Sequence, residues 1–242
     1  MRVQLFATCL VDSLFPEVGE AVIEVLARAG AEAWFPVGQT CCGQPALNAG
    51  LRPEARSLAI HTLDVFAGEE PVVVPSGSCT DMIRHRFPEL LSDDPRLLKR
   101  ARELASRTYE FSEFLVDQLL IADFNASSHL VIGYHPSCHL LRGLGVDRQP
   151  SRLLEGVAGA STVRLDSECC GFGGLFSIEM PEISTEMLRR TLDRIEVAGA
   201  ELVVGCDVSC LMQIEGGLRR SGSPVRCAHL AQVLAGREGG LR

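Results

Sequence analysis

Thr40-Cys41-Cys42-Gly43-Gln44-Pro45-Ala46 and Glu168-Cys169-Cys170-Gly171-Phe172-Gly173-Gly174 each place two adjacent cysteines before a glycine. A single cysteine lies 32 residues before the first pair (Cys9) and 31 before the second (Cys138). Another lies 37 residues after Cys42 (Cys79) and 40 after Cys170 (Cys210). Equivalent positions are offset by 129, 128 and 131 residues. So constant a register makes the chain two copies of a unit of about 120 residues. Residues 1–125 are expected to form the first copy with a linking helix, and 126–242 the second.

Each copy alternates apolar strands with helices. In the first, 3–8 reads as a strand ending at Cys9, Pro16 opens a helix over 17–29 that Gly30 stops, and 33–36 reads as a second strand. A helix over 53–67 leads into the apolar run Val72-Val73-Val74, and Ser76-Gly77-Ser78-Cys79 follows. The second copy repeats the order with strands over 130–134, 162–165 and 202–204. Residues 96–123 read as one helical stretch between the copies, within which Glu113-Phe114-Leu115 matches His229-Leu230-Ala231. The expected fold is α/β: two tandem pseudo-repeats, each a small parallel sheet flanked by helices. The cysteines then fall on loops at the C-terminal ends of the strands, where the ligand crevices of open parallel sheets lie.

Of 242 residues, 46% are apolar and 22% charged, which fits a globular chain and excludes a disordered one. The net charge of −8 leaves no basic stripe to displace counterions from phosphates, so nucleic acid is not an expected partner. Up to residue 125 there are 11 basic and 18 acidic residues, against 12 and 13 beyond it, which concentrates the acidic surface on the first half. No membrane span is expected, because the longest uncharged stretch, 33–51, is broken by prolines and glycines. The first residues lack the apolar core of a signal peptide, so a cytoplasmic chain is expected. Ten cysteines in a reducing compartment are metal ligands, catalytic thiols or core residues rather than disulfides.

Neighbouring cysteines cannot form a relaxed disulfide across a trans peptide, since their Cα atoms are only about 3.8 Å apart. Thiolates that face one pocket repel unless a cation lies between them, and the following glycine lets the backbone approach without a Cβ. The amides of Gly171, Gly173 and Gly174 can donate to sulfur. Four soft thiolates per copy suit either tetrahedral zinc or an iron–sulfur cluster. The short Cys-x-x-Cys knuckles of structural zinc are absent, and ligands on loops more than 30 residues apart fit a larger object. Catalytic or merely buried thiols are the third alternative.

The doubled pattern resembles the cysteine-rich CCG domain found in heterodisulfide reductase and in the iron–sulfur component of glycolate oxidase. Besides the two pair-bearing stretches, Pro75-Ser76-Gly77-Ser78-Cys79, Tyr134-His135-Pro136-Ser137-Cys138-His139 and Asp207-Val208-Ser209-Cys210-Leu211-Met212 carry the likeness. Within that family the chain is most similar to the members of lactate utilization. The resemblance implies a cytosolic redox subunit relaying electrons in the oxidation of L-lactate to pyruvate, together with an iron–sulfur partner and a third protein. It implies one iron–sulfur cluster, of the [4Fe-4S] kind, per copy. Cys9, Cys41, Cys42 and Cys79 are the expected ligands of one, and Cys138, Cys169, Cys170 and Cys210 of the other. In the reductase the terminal element is Cys-x-x-Cys and supplies a fifth thiolate; Ser76 and Asp207 stand in that position here. Cys206, one residue early, is a candidate replacement, although a continuing strand would turn it the other way. A heterodisulfide-reductase-like thiol/disulfide reductase and a zinc-stapled scaffold without redox function are the alternatives.

His135 and His139 flank Cys138, either as a proton relay or donors to sulfur or a carboxylate, or as loop histidines satisfied by backbone. Asp207 reads better as a helix N-cap than as an oxygen ligand, and Ser76 and Ser78 invite the same reading. Arg142 is either a carboxylate partner or a solvated side chain, and Cys227 is read as a core residue. No dinucleotide fingerprint, Walker loop or Ser/His/Asp nucleophile motif is present, and no catalytic residue is assigned.

Overall fold

A computed structural model describes residues 1–165, 168–237 and 240–241. These residues form two four-stranded parallel sheets. β1 (Arg2–Leu5), β2 (Glu32–Trp34), β3 (Val72–Val74) and β4 (Thr108–Glu110) are ordered β2-β1-β3-β4. β5 (Val131–Tyr134), β6 (Ser161–Arg164), β7 (Leu202–Gly205) and β8 (Arg226–His229) are ordered β6-β5-β7-β8. The registers also correspond: Leu5 pairs with Val73 and Tyr134 with Val204. Duplication is thus visible in strand order as well as in cysteine spacing.

The central strands are unbroken apolar runs because helices cover both faces. Val72, Val73 and Val74 have no exposed surface, and neither do Leu202, Val203 and Val204. The first expected helix is Pro16–Arg28: proline occupies its first turn, and Val18, Ala21, Val22, Val25 and Leu26 form its buried stripe. Gly30 follows at φ +76°. A short helix not foreseen from the sequence, Cys9–Leu14, precedes it.

Between the copies the structure departs from the single helix expected over 96–123. The helix Pro95–Ser106 ends and β4 begins, because Thr108-Tyr109-Glu110 pairs with Val72-Val73-Val74 and completes the sheet edge. Glu110 then caps the helix Phe111–Glu113 in a capping box with Glu113, and His229 caps Leu230–Leu234 in a capping box with Gln232. The correspondence is therefore Glu110 with His229, three residues earlier than the sequence match. β8 carries Cys227, fully buried as expected of a core residue.

One apolar cluster runs through both halves, from Val3, Leu5, Phe111 and Phe114 to Ile132, Tyr134, Leu202 and Leu230. At the surface, Arg237 of the second half pairs with Glu20 and Glu24 of the first at 3.2 and 2.7 Å. The helix Gly77–Asp81 of the first copy lies against residues 139–143 of the second, and Val208–Arg220 of the second lies against Cys9–Leu14 of the first. The first of these contacts is close: a Cβ on Gly77 would stand 2.8 Å from the Cβ of Leu140. This reciprocal packing turns the strand-end loops of the two copies toward each other.

Candidate metal centre

The loops converge on one cavity of about 520 Å³, lined by Cys9, Cys41, Cys42 and Cys79 from one copy and Cys138, Cys169, Cys170 and Cys210 from the other. In the first set Cys9, Cys41, Cys42 and Cys79 form an unbroken chain of sulfur contacts, and Cys42 Sγ donates to Cys79 Sγ at 3.4 Å. Cys138, Cys169, Cys170 and Cys210 form the same chain in the second. All eight expected ligands are thus brought together, four and four.

The glycines after the pairs act through the backbone. Gly43 and Gly171 adopt φ +87° and +86°, and their amides donate to Cys41 Sγ at 3.4 Å and to Cys169 Sγ at 3.5 Å. Hydrogen bonds from Cys42 and Cys9 pull the Cys41 thiol down to about 3, while bonding to Cys41 holds Cys9 and Cys42 far above the thiol range. Bonds from Cys138 and Cys170 likewise bring Cys169 down to about 2, and Cys138 and Cys170 rise. The shared hydrogen bonds thus favour the thiolate at some positions of each set and disfavour it at their neighbours. Four thiolates coexist in so small a space only around a multivalent cation. The donor set therefore fits a thiophilic metal or cluster.

Polar side chains tie the two sets together. Gln44, directly after Cys42-Gly43, donates Nε2 to Ser78 O at 3.3 Å and to His139 Nε2 at 3.1 Å. A carbonyl only accepts, which orients the Gln44 amide, so His139 Nε2 accepts and its proton sits on Nδ1. That nitrogen lies 3.7 Å from Cys138 Sγ, a long N–H···S contact. Asp207 caps Val208–Arg220 through Ser209 N, as the cap reading expected. Its other oxygen accepts from Ser76 Oγ at 3.2 Å and Ser78 N at 2.9 Å in the opposite copy. Ser76 caps Gly77–Asp81 by accepting from Cys79 N. Nothing in the residue pattern signals the roles of Gln44 and Asp207 across the copies, because they exist only once the two loops face each other.

Cys206 is fully buried in the core shared by the two halves, beside Ser112 and Glu110, and does not line the cavity. Cys206 directly follows β7, and the alternation of side chains along an extended chain turns it away from the loop that carries Cys210. His135 is not a backbone-satisfied loop histidine: its ring is buried, neither nitrogen makes a regular hydrogen bond, and it faces Cys170 and Cys210.

A family model described as "Cysteine-rich domain" (CCG) matches residues 3–84 and again 132–215. The chain belongs to the CCG cysteine-rich domain family. "Lactate utilization protein A" of Shouchella clausii is 45% identical over 98% of this chain and 100% of its own length. "Lactate utilization protein A 1" of Bacillus mycoides is 46% identical, covering 97% and 96%, and the Bacillus subtilis protein is 44% identical, covering 98% and 100%. A crystal structure of a hypothetical protein from Helicobacter pylori has a TM-score of 0.67 at 12% identity, over 100% of this chain and 49% of that one, a likeness of fold. No helix among the described residues is long and apolar enough to cross a membrane.

Proposed function

We propose that this CCG protein is a cytoplasmic iron–sulfur redox subunit in the oxidation of L-lactate to pyruvate, relaying electrons with an iron–sulfur partner and a third protein. The observation that carries the reading is the convergence of two equivalent four-thiol chains on one cavity. Relatives named for lactate utilization, matched along their whole length, support the substrate. Cys9, Cys41, Cys42 and Cys79 hold one cluster, and Cys138, Cys169, Cys170 and Cys210 the other. A cluster bound there accepts and passes single electrons. The chain's own residues set its surroundings: Gly43 and Gly171 amides and the His139 Nδ1–H donate toward sulfur, and Gln44 and Asp207 lock the two loops in one arrangement.

The test is electron delivery. Visible absorbance of the anaerobic protein should bleach on addition of L-lactate only when both partner proteins are present. Lactate oxidation by the isolated chain with an artificial acceptor, or no bleaching in the full mixture, contradicts the proposal. The single cavity between the sets also favours a second reading, a thiol/disulfide reductase whose substrate disulfide enters between the clusters. Reduced protein that cleaves small disulfides but takes no electrons from the lactate mixture would establish that reading instead.

A further inference from the structure

We propose that His135 is a ligand of the metal centre held by the second cysteine set, so that the two sets hold chemically different centres: thiolate alone in the first, thiolate and imidazole in the second. The inference rests on the iron–sulfur reading above. The duplication supplies its control. His135 follows the last residue of β5, and Phe6 follows the last residue of β1, at the same offset of 129 that relates Cys9 to Cys138. Their backbones make the same bond, Phe6 N to Val73 O at 3.0 Å and His135 N to Val204 O at 2.8 Å. Only the side chain differs. Phe6 stacks on Phe66 at 5.2 Å and belongs to the apolar cluster behind the first sheet.

His135 is 2% exposed; neither Nδ1 nor Nε2 has a hydrogen bond of regular geometry, and the Cys210 thiol is the group its ring approaches. A buried polar group without a partner is destabilising, and Phe fits the equivalent site of the first copy, so packing alone does not account for an imidazole here. One nitrogen of the ring, Cys170 Sγ and Cys210 Sγ all lie within 4.8 Å of one another. Imidazole and thiolate are the ordinary mixed donor set of intracellular transition-metal sites. Two other candidate donors nearby are engaged elsewhere: Asp207 accepts from Ser76, Ser78 and Ser209, and His139 is bonded to Gln44. Ser137 Oγ is also buried without a partner, but a hydroxyl is a poor match for a thiophilic centre. Coordination through one nitrogen would satisfy that nitrogen and place the ring proton on the other.

The experiment is pulsed EPR on the reduced, cluster-loaded full chain, grown with 15N-histidine and, separately, at natural abundance. A coupling of the directly bonded kind that changes isotope with the histidine label is expected. It should vanish in His135→Phe, which copies the first set, and in His135→Ala, with iron and sulfide retained in both sets. It should persist in His139→Phe. A loaded wild-type protein with two clusters and no such coupling, or with only the weak coupling of an N–H···S contact, overturns the inference and leaves the redox reading standing. A coupling that survives in His135→Ala or is lost in His139→Phe overturns it as well. A chain that holds no iron in either set overturns both.

Discussion

At Gly171 an added Cβ would stand 2.5 Å from Ser184 O, and at Gly43 it would stand 3.3 Å from Leu58 Cβ. Both residues hold the left-handed conformation, which costs an L side chain about 1–2 kcal/mol. At Gly171 a backbone clash adds to that. Gly171→Ala should therefore lower the unfolding free energy by about 3 kcal/mol and Gly43→Ala by about 1–2, read from urea midpoints. Equal losses would contradict the geometry. Asp207→Ala should retain metal in both sets while losing about 1–3 kcal/mol, since it removes a cap and strands the donors of Ser76 and Ser78. Metal lost from the second set at unchanged stability would make Asp207 a ligand instead. At this scale the sequence made the thiols legible because duplicated spacing marks them. Gln44 was not legible, because a glutamine gains its meaning from the loop it meets and not from its neighbours in sequence.

The short helices that follow the fourth strands are capped by buried titratable residues. Burial raises Glu110 to about 7 and lowers His229 to about 4, from ordinary values of 4.5 and 6.5. Between pH 4.5 and 7 folded Glu110 keeps a proton that the unfolded chain has released, so its contribution to stability falls as pH rises, by up to about 3 kcal/mol. Between pH 6.5 and 4 the unfolded chain takes up a proton that folded His229 refuses, so that contribution falls as pH drops. The two slopes oppose each other where the windows overlap. Glu110→Gln should leave a protein whose stability climbs with pH from 5 to 6.5, and His229→Gln one whose stability declines over the same interval. Urea midpoints of both variants that parallel the wild type would contradict the assignment. β4 and β8 were not legible as strands. They are short and run into helix caps, and β4 lies in a region rich enough in helix formers to read as one continuous helix. The Val72-Val73-Val74 and Leu202-Val203-Val204 runs were legible because full burial on both faces leaves no room for a polar residue.

For the whole molecule, the two copies share a core and interlock reciprocally, yet the sulfur contacts of each thiol chain stay within its own copy. Changing Cys41 and Cys42 together to serine should therefore remove about half of the visible absorbance and leave the second centre intact. Loss of all of it would mean one centre shared across the cavity. The parallel α/β class and the strand-end position of the cysteines followed from periodicity alone. The facing of the two sets did not, because it depends on tertiary contacts such as Gly77 against Leu140 that no local pattern encodes. The central claim is that both sets hold iron–sulfur clusters. Metal and acid-labile sulfide analysis of protein purified anaerobically from iron-replete cells should find iron and sulfide, in amounts that fall by about half in the Cys41→Ser, Cys42→Ser variant. Zinc without sulfide in the wild-type protein would contradict it.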